Sequence, residues 1–308
     1  MSHPTQVGPA IVVSSLTKRF GARKVLDDLT FAVPAGTVTG FVGPNGAGKT
    51  TTLKILVGLV RASAGRATVL GESINKPAAY LRRVGALIEG PALYAGLSGE
   101  RNLEVVAATA GHDRARIPEL LGLVGLGDRG GDRYKTYSLG MKQRLAIAAA
   151  LLGDPALLVL DEPSNGLDPA GIRDMRELIR SLASRDRTIL VSSHLLAEVE
   201  QLCDWLVMID RGRLVHSGPT IELLASHVAE LVLTPEHSHD TERLAAFCAD
   251  AGHRVSVLAD GVHVHTESGT AADLNRTAMQ AGICLASIIP IRANLEERYL
   301  TLTSEGQR

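Results

Sequence analysis

The chain has 308 residues, of which 45% are apolar and 21% charged, and its net charge is −1. This is the length of about two domains and the composition of a globular protein with a core. No basic excess is available to neutralise a phosphate backbone, which excludes nucleic acid as the default partner. Cys203, Cys248 and Cys284 are widely spaced and form no CxxC pair, so they read as free thiols of a reducing compartment. Met1 to Pro9 lacks the apolar centre of a signal peptide. No run approaches the ~20 apolar residues that span a bilayer, and the richest stretch, Leu145 to Leu160, is broken by Gly153-Asp154-Pro155. A membrane role must therefore come through a partner.

In chain order, Ala10 to Ser15, Leu29 to Val33 and Thr37 to Val42 read as strands. They lie close together without intervening helices, which predicts an antiparallel layer beside a parallel core. Gly43-Pro44-Asn45-Gly46-Ala47-Gly48-Lys49-Thr50 follows and fits G-x-x-x-x-G-K-[ST], with a helix expected over Thr51 to Val57. Glycines let such a loop fold tightly and aim N–H groups at phosphate oxygens. The helix start adds the positive end of its dipole. Lys49 can reach terminal phosphates and the Thr50 hydroxyl can hold Mg²⁺.

Strands are expected at Ala67 to Leu70 and Val84 to Ile88. Residues 98–135 carry no strand signal and read as a helical insert with helices at Glu100 to Ala110 and Arg116 to Val124. Ser138 is placed to cap a helix that runs to about Leu152, where Gly153 stops it. Leu157 to Leu160 is an apolar strand ending in Asp161 and Glu162. Neighbours leaving a strand diverge, so Asp161 suits a metal ligand and Glu162 a base that orients water. Thr188 to Ser192 is a second such strand, followed by His194, which suits a γ-phosphate contact. Ligands of open α/β sheets bind outside strand carboxyl ends, so one crevice can hold Lys49, Asp161, Glu162 and His194. Trp205 to Ile209 and Arg213 to His216 complete the strands of this half.

From about Ala225 the pattern becomes strand, helix, strand, strand, helix, strand (Ala229 to Leu233, Thr241 to Ala251, Arg254 to Leu258, Val262 to His265, Ala271 to Ala281, Cys284 to Ile289). That order is the ferredoxin-like one. His237, His239, His263 and His265 have no convincing set of co-ligands and read as solvated or hydrogen-bonded. Glu296-Glu297-Arg298 reads as a solvated face.

Together these residues resemble an ABC-transporter ATP-binding subunit, over residues about 11–225. Gly43 to Thr50, with Thr51, resembles Walker A. Tyr137-Ser138-Leu139-Gly140-Met141 resembles the signature usually written LSGGQ. Leu157 to Asp161 with Glu162 resembles Walker B and its catalytic glutamate. Ser164 to Asp168 resembles the D-loop, and His194 the switch histidine. Phe20 stands where the family keeps an aromatic that stacks on adenine. Two departures, Glu89 at the Q-loop glutamine position and Leu139 and Met141 in the signature, resemble the bacitracin-export and lantibiotic-immunity subgroup. The C-terminal unit is similar to the accessory domain of drug-export and polysaccharide-export cassettes.

The resemblance implies an α/β P-loop ABC ATPase core, of mixed sheet, antiparallel β layer and helical insert (about 90–150), over residues 11–225. A flexible tail over 1–10 and a ferredoxin-like domain over 226–308 flank it. It implies an ATP hydrolase using ATP and Mg²⁺, with Glu162, His194 and Lys49 catalytic. The Walker A residues, Phe20, Ser138, Gly140 and Asp168 would bind nucleotide, and Thr50, Glu89 and Asp161 the metal. It also implies a second ATP-binding subunit, most simply a homodimer, with each ATP between one chain's Walker A and the other's Ser138. An integral membrane permease would hold the chain at the inner face of the cell membrane and export a drug, antibiotic or peptide. The alternatives are a soluble ABC protein acting on ribosomes and a nucleotide-gated scaffold. A single phosphate loop without sustained heptads disfavours the first, and the presence of Lys49, Glu162 and His194 disfavours the second.

Overall fold

The computed structural model describes residues 8–90, 93–183, 187–225, 229–266, 271–291 and 295–305. Most of the expected tail and the expected junction at 226–228 lie outside these residues. Strand β1 (Pro9–Phe20) begins inside the segment assigned to the tail, and Ala10 is fully buried. The polarity of the preceding residues hid that start. The chain divides into two compact units, one built on residues up to Thr220 and the other on Ile221–Thr301.

In the first unit β1 is followed by β2 (Arg23–Pro34), β3 (Val38–Val42), α1 (Lys49–Leu56), β4 (Ala64–Val69), the short β5 (Glu72–Ser73) and β6 (Val84–Leu87). Next come α2 (Gly99–Ala110), α3 (Ile117–Leu123), α4 (Leu139–Leu151), β7 (Leu157–Asp161), α5 (Pro169–Ala183), β8 (Thr188–Ser193), α6 (Leu196–Leu202), β9 (Trp205–Asp210) and β10 (Arg213–Pro219). One sheet is antiparallel, in the order β2-β1-β4-β5. The other runs β10-β9-β3-β8-β7-β6 and is parallel except for β10.

The central strands are buried at every position. This is why they read as unbroken apolar runs, as strands covered on both faces do. One core joins Ile11, Leu29 and Phe31 of the first sheet, Phe41, Val159 and Leu190 of the second, and Leu53, Ile55 and Leu56 of α1. The rings of Phe31 and Phe41 lie 5.3 Å apart across it. Each buried Leu, Ile or Phe contributes on the order of 1.5–3 kcal/mol before entropy is counted.

Helix α4 explains its own alanine-rich sequence. A Cβ on Gly85 of β6 would lie 2.2 Å from Ala150 O, so helix and strand backbones touch and only small residues fit. Its C-terminus differs from the expectation. The left-handed residue is Asp154, at φ 47°, and not Gly153. Gly153 is instead packed under His112, whose Cε1 would be 2.6 Å from any Cβ there.

The second unit opens with α7 (Thr220–Ala225) and contains β11 (Ala229–Pro235), α8 (Thr241–Asp250), β12 (Arg254–Leu258), β13 (Gly261–Thr266), α9 (Ala271–Gln280) and β14 (Leu285–Ile291); α10 (Leu295–Glu305) ends the described chain. Its antiparallel sheet has the order β12-β13-β11-β14, with Leu231, Leu233, Val262 and Val264 packed on Leu244, Cys248, Leu274 and Ala278. Strand β11 runs on through Thr234-Pro235, two residues past its expected end at Leu233. Arg298, expected on a solvated face, is 6% exposed and donates to Leu223 O at 3.3 Å. Charge composition alone did not register that a buried carbonyl was waiting for it. Among the described residues, no helix is long and apolar enough to cross a membrane.

Candidate functional site

The sheet order sets β3, β8 and β7 side by side, so three strand ends open on one edge. The loop after β3 turns on glycines that have separate reasons to be there. A Cβ on Gly43 would lie 2.2 Å from Ile209 O, whereas one on Gly46, at φ +83°, would meet nothing within 4 Å. Gly48, at φ +107°, caps α1 without a side chain. The first-turn amides of α1 have no intrahelical acceptor, and they face a crevice of about 430 Å³.

Lys49 opens that helix and is 6% exposed. Its ammonium donates to Gly43 O at 2.7 Å and stands 3.2 Å from Glu162 Oε1. The other Glu162 oxygen lies 2.7 Å from His194 Nδ1. Glu162 follows the end of β7 with φ at +50°, a left-handed conformation that costs a non-glycine residue roughly 1–3 kcal/mol. Its amide, bonded to the Ser192 hydroxyl and carbonyl of β8 at 2.9 and 3.2 Å, holds that turn. The turn swings Glu162 away from Asp161, whose carboxylate goes to Thr50 instead. Thr50 Oγ1 donates to Asp161 Oδ2 at 2.8 Å, and Ser192 Oγ donates to Asp161 Oδ1 at 2.6 Å.

The crevice is lined by Pro44, Asn45, Gly46, Gly48, Lys49, Thr50, Thr51, Glu162 and His194 among the expected residues. Gly43 and Ala47 build the loop from behind, and Asp161 joins through Thr50. Glu89 is elsewhere. It is 64% exposed at φ +61° and pairs with Lys54 Nζ at 2.5 Å. Nor does Phe20 line the crevice; half exposed, it carries Lys18 Nζ 4.6 Å from its ring centroid. Ser138 caps α4, accepting from Met141 N at 3.3 Å, and Asp168 caps α5, accepting from Gly171 N at 2.9 Å. Gly140 packs near Leu167, so these two helix starts adjoin one another outside the crevice.

Four contributors were missed in the sequence. Arg23, Val25 and Asn165 line the crevice, and Ser192 binds both acidic residues' segments. Asn165 lay inside the D-loop-like segment and Ser192 was a hydroxyl at the end of an apolar strand, whereas Arg23 and Val25 had no signal. Glu198, on α6, has its carboxyl pushed above the ordinary carboxylate range by burial, against the opposing pull of a Ser164 hydrogen bond and nearby His194.

Two hard oxygen donors, Thr50 Oγ1 and Asp161 Oδ2, meet beside the phosphate loop. Among the described residues no cluster of His, Cys, Asp and Glu could enclose a metal by itself. That donor set fits Mg²⁺, which binds through one or two protein oxygens plus substrate phosphates.

The ABC transporter family model matches residues 26–165. The bacitracin transport ATP-binding protein BcrA of Bacillus licheniformis is 39% identical over 300 residues, covering 96% of this chain and 98% of its own. The chain belongs to the ABC transporter ATP-binding family. The lantibiotic transport ATP-binding protein SrtF of Streptococcus pyogenes is 44% identical over 203 residues, 66% of this chain and 88% of its own. Among solved structures, an ATP-binding subunit of an ABC transporter superposes with a TM-score of 0.62 at 34% identity, covering 70% of this chain and 91% of that one. As an ABC ATP-binding domain the chain binds and hydrolyses ATP to power transport. Subunits of this family dimerise and work with membrane permeases.

Proposed function

We propose that this chain drives export of an antibiotic, peptide or drug through a separately encoded permease, working as a homodimer held at the inner face of the cell membrane. Support for the cargo class comes from BcrA and SrtF, whose names specify bacitracin and lantibiotic transport. The observation that carries the catalytic reading is the unbroken chain Lys49–Glu162–His194, with spacings of 3.2 and 2.7 Å, at the mouth of a phosphate loop.

In this reading the loop amides and Lys49 receive the β- and γ-phosphates, so Lys49 exchanges Glu162 for phosphate oxygens when ATP enters. Glu162, released from the ammonium, accepts a hydrogen bond from the attacking water and orients it. His194 steadies that carboxylate through Nδ1 and faces the terminal phosphate. Thr50 and Asp161 would hold Mg²⁺, which supplies positive charge to the phosphate oxygens. Ser138, Gly140 and Asp168 lie on the first unit's surface away from the crevice, consistent with service to the nucleotide of a second copy.

The test joins ATP turnover to cargo. Co-expression with the neighbouring permease gene in a sensitive host should raise resistance to bacitracin or a lantibiotic, and the Lys49→Ala chain should not. Resistance that is equal with both chains would reject the reading.

A further inference from the structure

Arg23 and Val25 are two residues apart on β2, where the register shift between Lys18↔Leu26 and Arg19↔Lys24 leaves Val25 as the extra residue of a bulge. Both line the crevice. Val25 abuts the phosphate loop, since a Cβ on Gly48 would lie 3.2 Å from Val25 O. Arg23 lies two residues nearer the β1–β2 turn, opposite Phe20. With phosphates in the loop, the rest of a nucleotide would have to lie against the remaining lining residues of the crevice, Arg23 and Val25 among them.

The Arg23 guanidinium is exposed and makes no hydrogen bond or ion pair among the described residues. The nearby carboxylate of Asp27 is already held by Lys24 at 2.6 Å and Arg213 at 2.7 Å. Phe20 is the direct partner of Arg23 across the β1–β2 turn, so ring and guanidinium share a side of the hairpin.

We propose that Arg23 lays its guanidinium plane against the nucleobase, as the residue that separates nucleotides from bare polyphosphates. The proposal rests on the nucleotide reading of the crevice. Arginine suits this task because its cation is planar, weakly hydrated and stacks on aromatic faces, whereas lysine presents a compact, strongly hydrated charge. Every base offers a π-face, so the contact distinguishes base from no base, and not adenine from guanine.

Calorimetric titration of the full chain with a non-hydrolysable ATP analogue, its GTP counterpart and inorganic tripolyphosphate tests this. Arg23→Ala and Arg23→Lys should each weaken both nucleotide analogues about five- to tenfold, leaving tripolyphosphate affinity within about twofold. Equal losses for analogue and tripolyphosphate would make Arg23 a phosphate contact and overturn the proposal. So would unchanged nucleotide affinity in Arg23→Ala, or full affinity in Arg23→Lys. Lys49→Ala is the separate control. It should lose nucleotide and tripolyphosphate alike, and if it binds both as the parent does, the crevice reading fails whatever Arg23 does.

Discussion

Lys49 and Glu162 neutralise one another across the crevice, ammonium to carboxylate at 3.2 Å. On the proposed reading, the cation that would meet phosphate and the carboxylate that would orient water are engaged with each other until nucleotide separates them. Glu162→Gln keeps the side-chain shape and removes the charge, so it frees Lys49 and disables the base. Turnover should fall ~10²-fold or more while ATP affinity holds or rises. A phosphate-release assay beside a binding titration reads both, and normal turnover would remove Glu162 from the mechanism.

Ser192 is fully buried and its hydroxyl serves two neighbours, donating to Asp161 and accepting from the Glu162 amide. Ser192→Ala leaves an Asp161 oxygen without its donor and loosens a left-handed turn. The expected cost is about 1–3 kcal/mol in urea unfolding, together with a loss of turnover larger than the loss of ATP affinity. Equal, small effects on both would mean that the hydroxyl merely fills space.

The phosphate loop separates folding from binding at two glycines. Gly43→Ala drives a methyl into Ile209 O at 2.2 Å, so it should fail to fold. Gly46→Ala meets nothing within 4 Å. It should fold with a left-handed penalty of roughly 1–2 kcal/mol, yet lose ATP affinity, because its methyl projects into the crevice. Intact ATP binding in Gly46→Ala would move the phosphates off this part of the loop.

Much of this architecture was legible because its signals are local. Period-2 and continuous apolar runs located the strands, and glycine chemistry located the loop. Strand-terminal carboxylates and a histidine located the rest of the crevice. What stayed hidden depends on pairing across the chain. Glu89 faces two candidate charges, a metal and Lys54, and its exposed salt bridge with Lys54 follows from the fold, not the motif. Arg23 sits in a segment with no motif, and the packing of Val25 and Leu26 of β2 against Gly48 and Gly212 brings that segment to the crevice. Arg298 sits in a charged cluster, and only the fold reveals the buried Leu223 carbonyl that it serves.

Cysteine accessibility offers a check on the core of each unit. Cys203 and Cys248 are buried and Cys284 is exposed. Burial pushes the Cys248 thiol up to about 11 and raises that of Cys203 further. Thiolates are the reactive form, so iodoacetamide at pH 8 should label Cys284 first and the other two only after denaturation. Early labelling of Cys248 would contradict the packing of α8.

His263 supplies a pH dependence in the second unit. It is 6% exposed, with Asp260 at 2.9 Å on one nitrogen and Glu230 at 2.8 Å on the other, and His265 lies 3.8 Å from the same Glu230 oxygen. Those carboxylates, Asp260 foremost, raise the His263 pKa above its ordinary 6.5, and the hydrogen bond with His263 lowers that of Asp260. A raised folded pKa stabilises the native state fully below about pH 6.5, and the contribution disappears as pH climbs through the folded value. Asp260, depressed, contributes above the ordinary carboxylate pKa and stops doing so only in acid, so the two overlap near pH 5–6. Hydrogen exchange in β11 and β13, corrected for intrinsic rates, should therefore show weaker protection at pH 8.5 than at pH 6. His263→Gln removes the imidazolium and should flatten that difference. Protection that stays constant across this range in the parent chain would mean that folding does not raise the His263 pKa.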